Sequence, residues 1–502
     1  MAITPNPPGT INTPNSPTAE SAGAVQAPND PTAQAAVAIN TPNSPTAESA
    51  GTINTPNSPT AESAGAIQAP NDPTALGAGV IPRTLVPTLN LNFASGLYAQ
   101  NGTPKTQDEL ITFTRGSTGT FLNRQKDANN DWQYFVDSAS NDELRFEYDA
   151  ATGESLGALI EGGSSNLLTR SEEFDHTDWT KTDSTIAVDD TAAPDLTMSA
   201  DKLEASITGS IKTQVFQAIT TTSDTPYTIS AYVKRSEASF IQILFDTIHV
   251  DNDPRVNFDL STGTIGAQDV DIDAAAITPV GNDWFRISAT VTTAGTALTT
   301  YFMLAKSAND IRNQSNSWTA GEGLYIRGAQ VEQQEAPTSY IKTTTAPVAR
   351  AADLASTPTA GSMPSGDVTF FADVRASGIN TNGVLVYDVE SDSGSIDTVF
   401  SNTGDLRTQH GGALLELGTG FSPPAFDIAL TSVLNKSLNT IAGYIDGVQA
   451  ATGDAGAPST ANPGGVIGIG NASPLAGNQI FGHIKKLKIY DKALTAQEVA
   501  LL

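Results

Sequence analysis

Few residues in this chain could do chemistry, and their spacing narrows the choice to three kinds. Asp388, Glu390 and Asp392 alternate with Val389 and Ser391, so an extended strand would carry three carboxylates on one face. Two carboxylates about 5 Å apart make the acid and nucleophile of a retaining glycosidase. The same run could also bind Ca²⁺ or be a solvated strand end. Asp269, Asp271 and Asp273 alternate in the same way with Val270 and Ile272. An acidic outer face guarding an edge strand, with Val270 and Ile272 turned inward, is the ordinary reason for such a pattern. The alternative is structural Ca²⁺ shared with a loop such as Asp189-Asp190, because hard cations gather several carboxylate oxygens. Sugar binding needs an exposed aromatic plate beside amides or carboxylates that accept hydroxyl protons. Trp318, in the polar stretch from Asn313 to Gly321, fits that need, as does His249 with Asp251, Asn252 and Asp253. Trp179 and Trp284 lie in patterned segments and read as core. There is no Gly-rich phosphate loop, no nucleophile elbow and no metal-type His pair, with His176, His249, His410 and His483 scattered, so the chain does not read as an enzyme.

Composition sets the outer limits. The 502 residues carry 54 acidic against 26 basic side chains, a formal charge of -28. Such a field repels nucleic acid and anionic lipid, and no local basic patch offsets it, so neither class of partner is expected. With no cysteine, the fold uses neither disulfides nor thiolate metal sites. The opening MAITPNPPGT has no basic segment followed by an apolar one, so no secretory signal is expected. No apolar run approaches the roughly 20 residues of a membrane span.

The first 80 residues are a tandem repeat. Starting at Ile11, Val25, Ile39, Ile53 and Ile67, a motif with one aliphatic head and two prolines recurs every 14 residues. The proline pairs, Pro14/Pro17 in the first full copy, forbid a continuous helix and favour polyproline II or turns. One aliphatic side chain per copy is too little to order a monomer core, since fixing a single backbone residue costs about 1–2 kcal/mol. The segment therefore reads either as a disordered linker or as an anchor whose five heads enter identical sites on partner subunits. As polyproline II, one copy would span about 43 Å, a plausible distance between such subunits.

From Arg83 onward strand signals take over. Residues 83–166 read as short strands without a closed core of their own, a connecting segment. Residues 167–350 hold period-2 runs at roughly 10-residue spacing, the pattern of a jelly-roll sandwich. That unit closes at Gly323 to Glu332, where alternation stops at Glu-Ala-Pro-Thr before Tyr340 and Ile341 fold back. Residues 351–502 form a second sandwich. In it Asp446-Gly447 signals a type I′ hairpin, Leu487 and Ile489 point inward, and Thr495 to Glu498 is a capping box for a short last helix. The fold class expected is all-β, two β-sandwiches after an extended Pro-rich repeat region.

Two resemblances follow from these residues. The ordered series ITFTRGSTGTF, RFEYDAATGE, LGALIE, NLLTRSEEFDHTDWTK, PYTISAYVKR, VNFDLSTGTIG, VGNDWFRISATV, YIRGAQVEQQEAPTSYIKTT and VARAAD resembles a β-sandwich family common in bacteriophage virion and tail-fibre proteins, often described as carbohydrate-binding-module-like. The end, YIDGVQ followed by KKLKIYDKALTAQEV, resembles concanavalin A-like (laminin G-like) sandwiches. Some glucanases of that fold carry Glu-x-Asp-x-Glu, whereas this chain has Asp388-x-Glu390-x-Asp392, and both shortened carboxylates would displace the catalytic groups.

The resemblances imply a virion protein assembled in the host cytoplasm, a fibre or appendage that binds a host-surface glycan. Tail, collar or capsid subunits would be its partners, and a homo-oligomer, by analogy a trimer, its assembly. No cofactor is implied beyond the Ca²⁺ already named. A purely structural head fibre or decoration protein is the alternative, and a bacterial adhesin or hydrolase a third.

Overall fold

The computed structural model describes short backbone strands within residues 10–68, and then residues 85–502 apart from 247–253, 379–383, 390–395, 401–404, 411–412, 420–425, 456–465 and 472–478. The chain divides into two units, Met1–Val86 and Pro87–Leu502.

In the first unit the repeats pair with one another. Thr10–Asn12, Ala24–Gln26, Ile39–Asn40, Ile53–Asn54 and Ile67–Gln68 form one parallel ladder, in which Ile11, Val25, Ile39, Ile53 and Ile67 are successive register partners. Thr18–Ala19, Thr32–Ala33, Thr46–Ala47 and Thr60–Ala61 form a second ladder. The 14-residue period is therefore the step from one ladder strand to the next, and the prolines fall in sequence between the ladder segments, where no ladder N–H is needed. The prolines, on which the polyproline or turn expectation falls, lie outside the described residues. Heads in neighbouring strands lie about 4.8 Å apart rather than about 43 Å, so the spacing argument for five separate partner sites is lost. Identical residues at identical offsets favour pairing with each other, because in-register stacking adds one nearest-neighbour contact per copy.

In the second unit one sandwich is inserted into another. The sheet built on Phe481–Tyr490 also contains Val368–Gly378, Phe426–Asn435, Thr440–Ile445 and Val448–Asp454 from the C-terminal part of the chain. To these it adds Leu89–Asn92, Leu97–Gln100 and Thr103–Lys105 from before the insertion, and Ser155–Ile160 pairs with the same central strand. The facing sheet likewise joins Thr112–Thr114 to Leu354–Pro358, Val466–Ile469 and the strands from Val384 to Gly418. Residues 83–166 are thus not a connecting segment, as their short strands suggested. Leu89, Leu91, Phe93, Leu110, Ile111, Leu144 and Ile160 share one core with Phe370, Ile467, Ile484, Leu487 and Ile489. Their strands had no closed core because the strands that complete it lie more than 200 residues away in sequence.

The inserted sandwich enters and leaves through a neck in which Ser164–Asn166 pairs antiparallel with Val348–Arg350. One of its sheets runs Ser184–Ala192, Met198–Ala205, Gly323–Glu332, Thr225–Arg235, Trp284–Thr293 and Ala274–Gly281. The other runs Thr180–Thr182, Gln214–Thr220, Ala297–Ala305, Phe240–Asp246, Arg255–Asp259 and Thr264–Gln268. Gly323–Glu332 is a central strand of the first sheet, and its ladder to Thr225–Arg235 slips between Ser230 and Tyr232. Gly328 takes φ +62 at that bulge, a conformation that disfavours any residue with a Cβ. The two hairpin residues Asp446 and Gly447 both have positive φ, as a type I′ turn requires, and the capping box at Thr495 and Glu498 is formed in both directions.

Inside the inserted sandwich, burial raises the Asp201 carboxyl to about 6, against hydrogen bonds from the Asp189 and Phe174 amides that favour the charged form. Between its ordinary value of 3.8 and about 6 the folded chain holds a proton that the unfolded chain has lost, so this group's contribution to stability falls as pH rises through that window. Asp201→Asn should flatten the decline in Tm between pH 4 and 6, read by thermal unfolding across that range; an unchanged slope would remove Asp201 from the account.

Candidate functional site

The first sandwich opens a groove of about 1000 Å³ on residues that precede the insertion. Four pieces of chain build it. Phe93 directly follows the strand Leu89–Asn92 and Tyr98 lies in the next, Leu97–Gln100, their rings meeting edge to face at 5.9 Å. Gln107 and Asp108 stand on the helical turn Gln107–Leu110, which is held by the Thr106–Glu109 capping box and followed by Phe113. Phe121 and Asn123 come from the strand Gly119–Lys126. Phe146 and Tyr148 project from Arg145–Tyr148, with Phe93 and Phe146 at 6.5 Å. Alternation explains this placement, since Phe146 and Tyr148 share one face of their strand.

Phe93 is buried as the floor, whereas Tyr98, Phe113, Phe121, Phe146 and Tyr148 are half-exposed. Burial pushes the Tyr98 hydroxyl up to about 12, so it stays a neutral donor and acceptor across the physiological range.

An acidic lip closes one side. The amide of Arg115 donates to the Asp142 carboxylate at 2.7 Å, and the Asp142 amide donates to the Arg115 carbonyl. Asp142 has φ +62, a conformation Asp tolerates. Glu143 accepts from the Ser140 amide at 2.8 Å, and the Arg115 guanidinium donates to the Ser140 carbonyl.

Behind the lip Arg115 reaches the fully buried Asp353 at 3.2 Å, which also meets Arg145 at 2.5 Å. Arg145 and Arg350 flank Glu161 at 2.9 and 3.4 Å, and Ser339 donates to it. Burial alone would raise Glu161, but Arg350, Arg145 and the Ser339 donors outweigh it and hold the carboxyl at about 2. This ionic knot ties both ends of the insertion to the base of the groove.

The side chains chosen from sequence lie elsewhere. Trp318 is a correction: it is 1% exposed, its short strand Asn316–Trp318 pairs with Gly209–Ile211, and the ring packs in the inserted core under the Lys306 ammonium at 3.8 Å. A polar neighbourhood in sequence hid an aromatic that turns inward. Trp179 and Trp284 are buried, as expected. His249, Asp251, Asn252 and Asp253 lie outside the described residues, as do Glu390 and Asp392 of the other acidic run.

Asp269, Asp271 and Asp273 are not the outer face of a strand. Asp269–Asp273 links two strands, with Val270 94% exposed and Ile272 buried, so the expected inward pair is split. Asp269 is engaged by the Arg255 guanidinium and amide, and Asp273 accepts from the Thr292 hydroxyl. Arg255 supplies the charge that Ca²⁺ would, and among the described residues no group of three acidic, His or Cys side chains is placed to hold a metal.

Sequence reasoning passed over the groove. The signal available was the aromatic face of Phe146 and Tyr148 and the paired Phe113 and Phe121, read there as strand residues only.

Comparison with known proteins bears mainly on the C-terminal part. Residues 349–500 match the family described as the concanavalin A-like lectin/glucanases superfamily, laminin G type. No curated protein matches the chain. Among solved structures, it is similar to the CBM40 domain of an IT-sialidase from Ruminococcus gnavus (13% identity, 28% of this chain and 85% of that one, TM-score 0.25). Another is domain 4 of an extracellular arabinanase from Geobacillus stearothermophilus in complex with arabinotriose (15%, 33% and 80%, TM-score 0.25). A third is a SAP-like pentraxin from Limulus polyphemus (14%, 28% and 71%, TM-score 0.22). TM-scores this low leave these likenesses without weight for what the chain does. The all-β sandwich architecture stands on the strands themselves, and no helix among the described residues is long and apolar enough to cross a membrane.

Proposed function

We propose that this chain is a glycan-binding virion component, a fibre or appendage protein whose N-terminal repeats join it to tail, collar or capsid subunits. The aromatic groove carries the glycan part. Half-exposed rings beside Asp, Glu, Gln and Asn acceptors supply the two contacts a sugar needs, an apolar plate for its C–H face and acceptors for its hydroxyls. Its volume is at the top of the range of about 300–1,000 Å³ for small-ligand sites, which suits several sugar rings.

The virion part is supported by the nine-motif resemblance. Assembly in the host cytoplasm and a homo-oligomer, a trimer by analogy, belong to the same reading, which contains no catalytic step and no cofactor. A second reading, a structural head fibre or decoration protein, is favoured by the stacked repeats, which make a spacer whose length grows with copy number.

Phe121 lies outside the buried cores, so Phe121→Ala tests the groove with little damage to the fold. Glycan-array binding of the full chain should weaken at least tenfold, about 1.4 kcal/mol, with Tm nearly unchanged. Undiminished binding would remove the groove from the reading. A cryo-EM map that placed this chain along the capsid with the groove covered would favour the structural alternative.

A further inference from the structure

We infer that the groove selects uncharged and amino-bearing sugars and rejects acidic ones, an inference that rests on the glycan reading of the same site. Three carboxylates, Asp108, Asp142 and Glu143, line the groove, and no Lys or Arg does among the described residues. Asp142 and Glu143 each spend one oxygen on a backbone amide, which fixes the carboxylate in place and leaves the other oxygen for a ligand.

The cations nearest in sequence are committed elsewhere. Lys105 pairs with Glu109 at 2.9 Å, and Arg115 is buried against Asp353. The Arg124 guanidinium lies between the Trp132 and Tyr148 rings, 4.2 and 4.1 Å from their centroids, and donates to the Gly153 carbonyl. Among the described residues no Lys or Arg lines the groove to meet a uronate or sialate carboxylate, and the overall charge of -28 adds to the repulsion. A hydroxyl or ammonium on the sugar finds acceptors at the same positions. Asp108, Asp142 and Glu143 are exposed, so added salt screens their repulsion of a charged ligand.

The test is binding of the full chain to immobilised oligosaccharides of three to six rings in matched neutral, glucosamine and uronate series, at two ionic strengths. The expected result is glucosamine and neutral sugars bound at least tenfold tighter than uronates at low salt, with the gap narrowing at high salt. In the Asp108→Asn, Asp142→Asn double variant the gap should fall to about threefold or less; Asn keeps the amide acceptor at position 142 and tolerates its positive φ.

Uronates bound as tightly as neutral sugars, or a gap unchanged in the double variant, would overturn the charge selection while leaving glycan binding intact. No binding to any series, with Phe121→Ala indistinguishable from the parent, would bring down the glycan reading and this inference together.

Discussion

Residues 349–500 produced alone should not fold, although they span the whole of the family match. Their central strand, Phe481–Tyr490, would lose its partners Leu89–Asn92 and Ser155–Ile160 and present an unpaired edge. The core would lose Leu89, Leu91, Phe93, Leu110, Ile111, Leu144 and Ile160. At about 1.5–3 kcal/mol for each buried side chain, that loss matches or exceeds the roughly 5–15 kcal/mol of net stability a domain possesses. A chain joining residue 166 to residue 348 through an Asn-Gly turn should fold, because the neck already pairs Asn166 with Val348 as a hairpin would. Circular dichroism with a cooperative denaturation curve separates the two outcomes. A folded, monomeric 349–500 would show that the family match marks a complete unit and that the insertion topology is dispensable.

Asp353→Ala should cost about 3–5 kcal/mol, the usual result of stripping the partner from a buried charge. Asp353 is fully buried between Arg115 and Arg145 and also accepts the Glu161 amide, so its removal leaves two guanidinium groups without their shared counter-charge. Asp353→Asn keeps an acceptor for the Glu161 amide and should cost less. The same knot governs acid stability. Glu161 is held at about 2 against an ordinary 4.5, so its contribution is complete above pH 4.5 and is lost as pH falls from there toward 2. Arg145→Met should shrink that acid-side loss in part, since one of the two charges that depress Glu161 is gone while Arg350 remains. Urea unfolding at pH 7 and a titration from pH 5 to 2 read both effects; a change under 1 kcal/mol for Asp353→Ala would mean that water compensates the exposed guanidiniums.

Much of the strand content was legible because period-2 alternation reflects burial on one face, which is a local property. Leu89–Asn92 was readable in that way, as were the Asp446-Gly447 turn and the Thr495 cap, both set by residues within four positions. The groove was not legible. Phe93, Phe113, Phe121 and Phe146 lie in four pieces of chain with no shared period, and only the fold brings their faces to one opening. Trp318 failed for the complementary reason: polar flanking residues describe a loop, but the side chain answers to the sheet beneath it.

The sequence by itself determined an acidic, cysteine-free, all-β chain with a 14-residue repeat, because composition and short-range period are written residue by residue. Tertiary structure decided which strands share a core, that one sandwich interrupts the other, and that Asp353 and Arg145 weld them. Those are matters of pairing across hundreds of residues, where many registers satisfy the same alternation and only the summed burial of two sheets selects one. The same long-range pairing turned an apparent connecting segment into the wall of the groove.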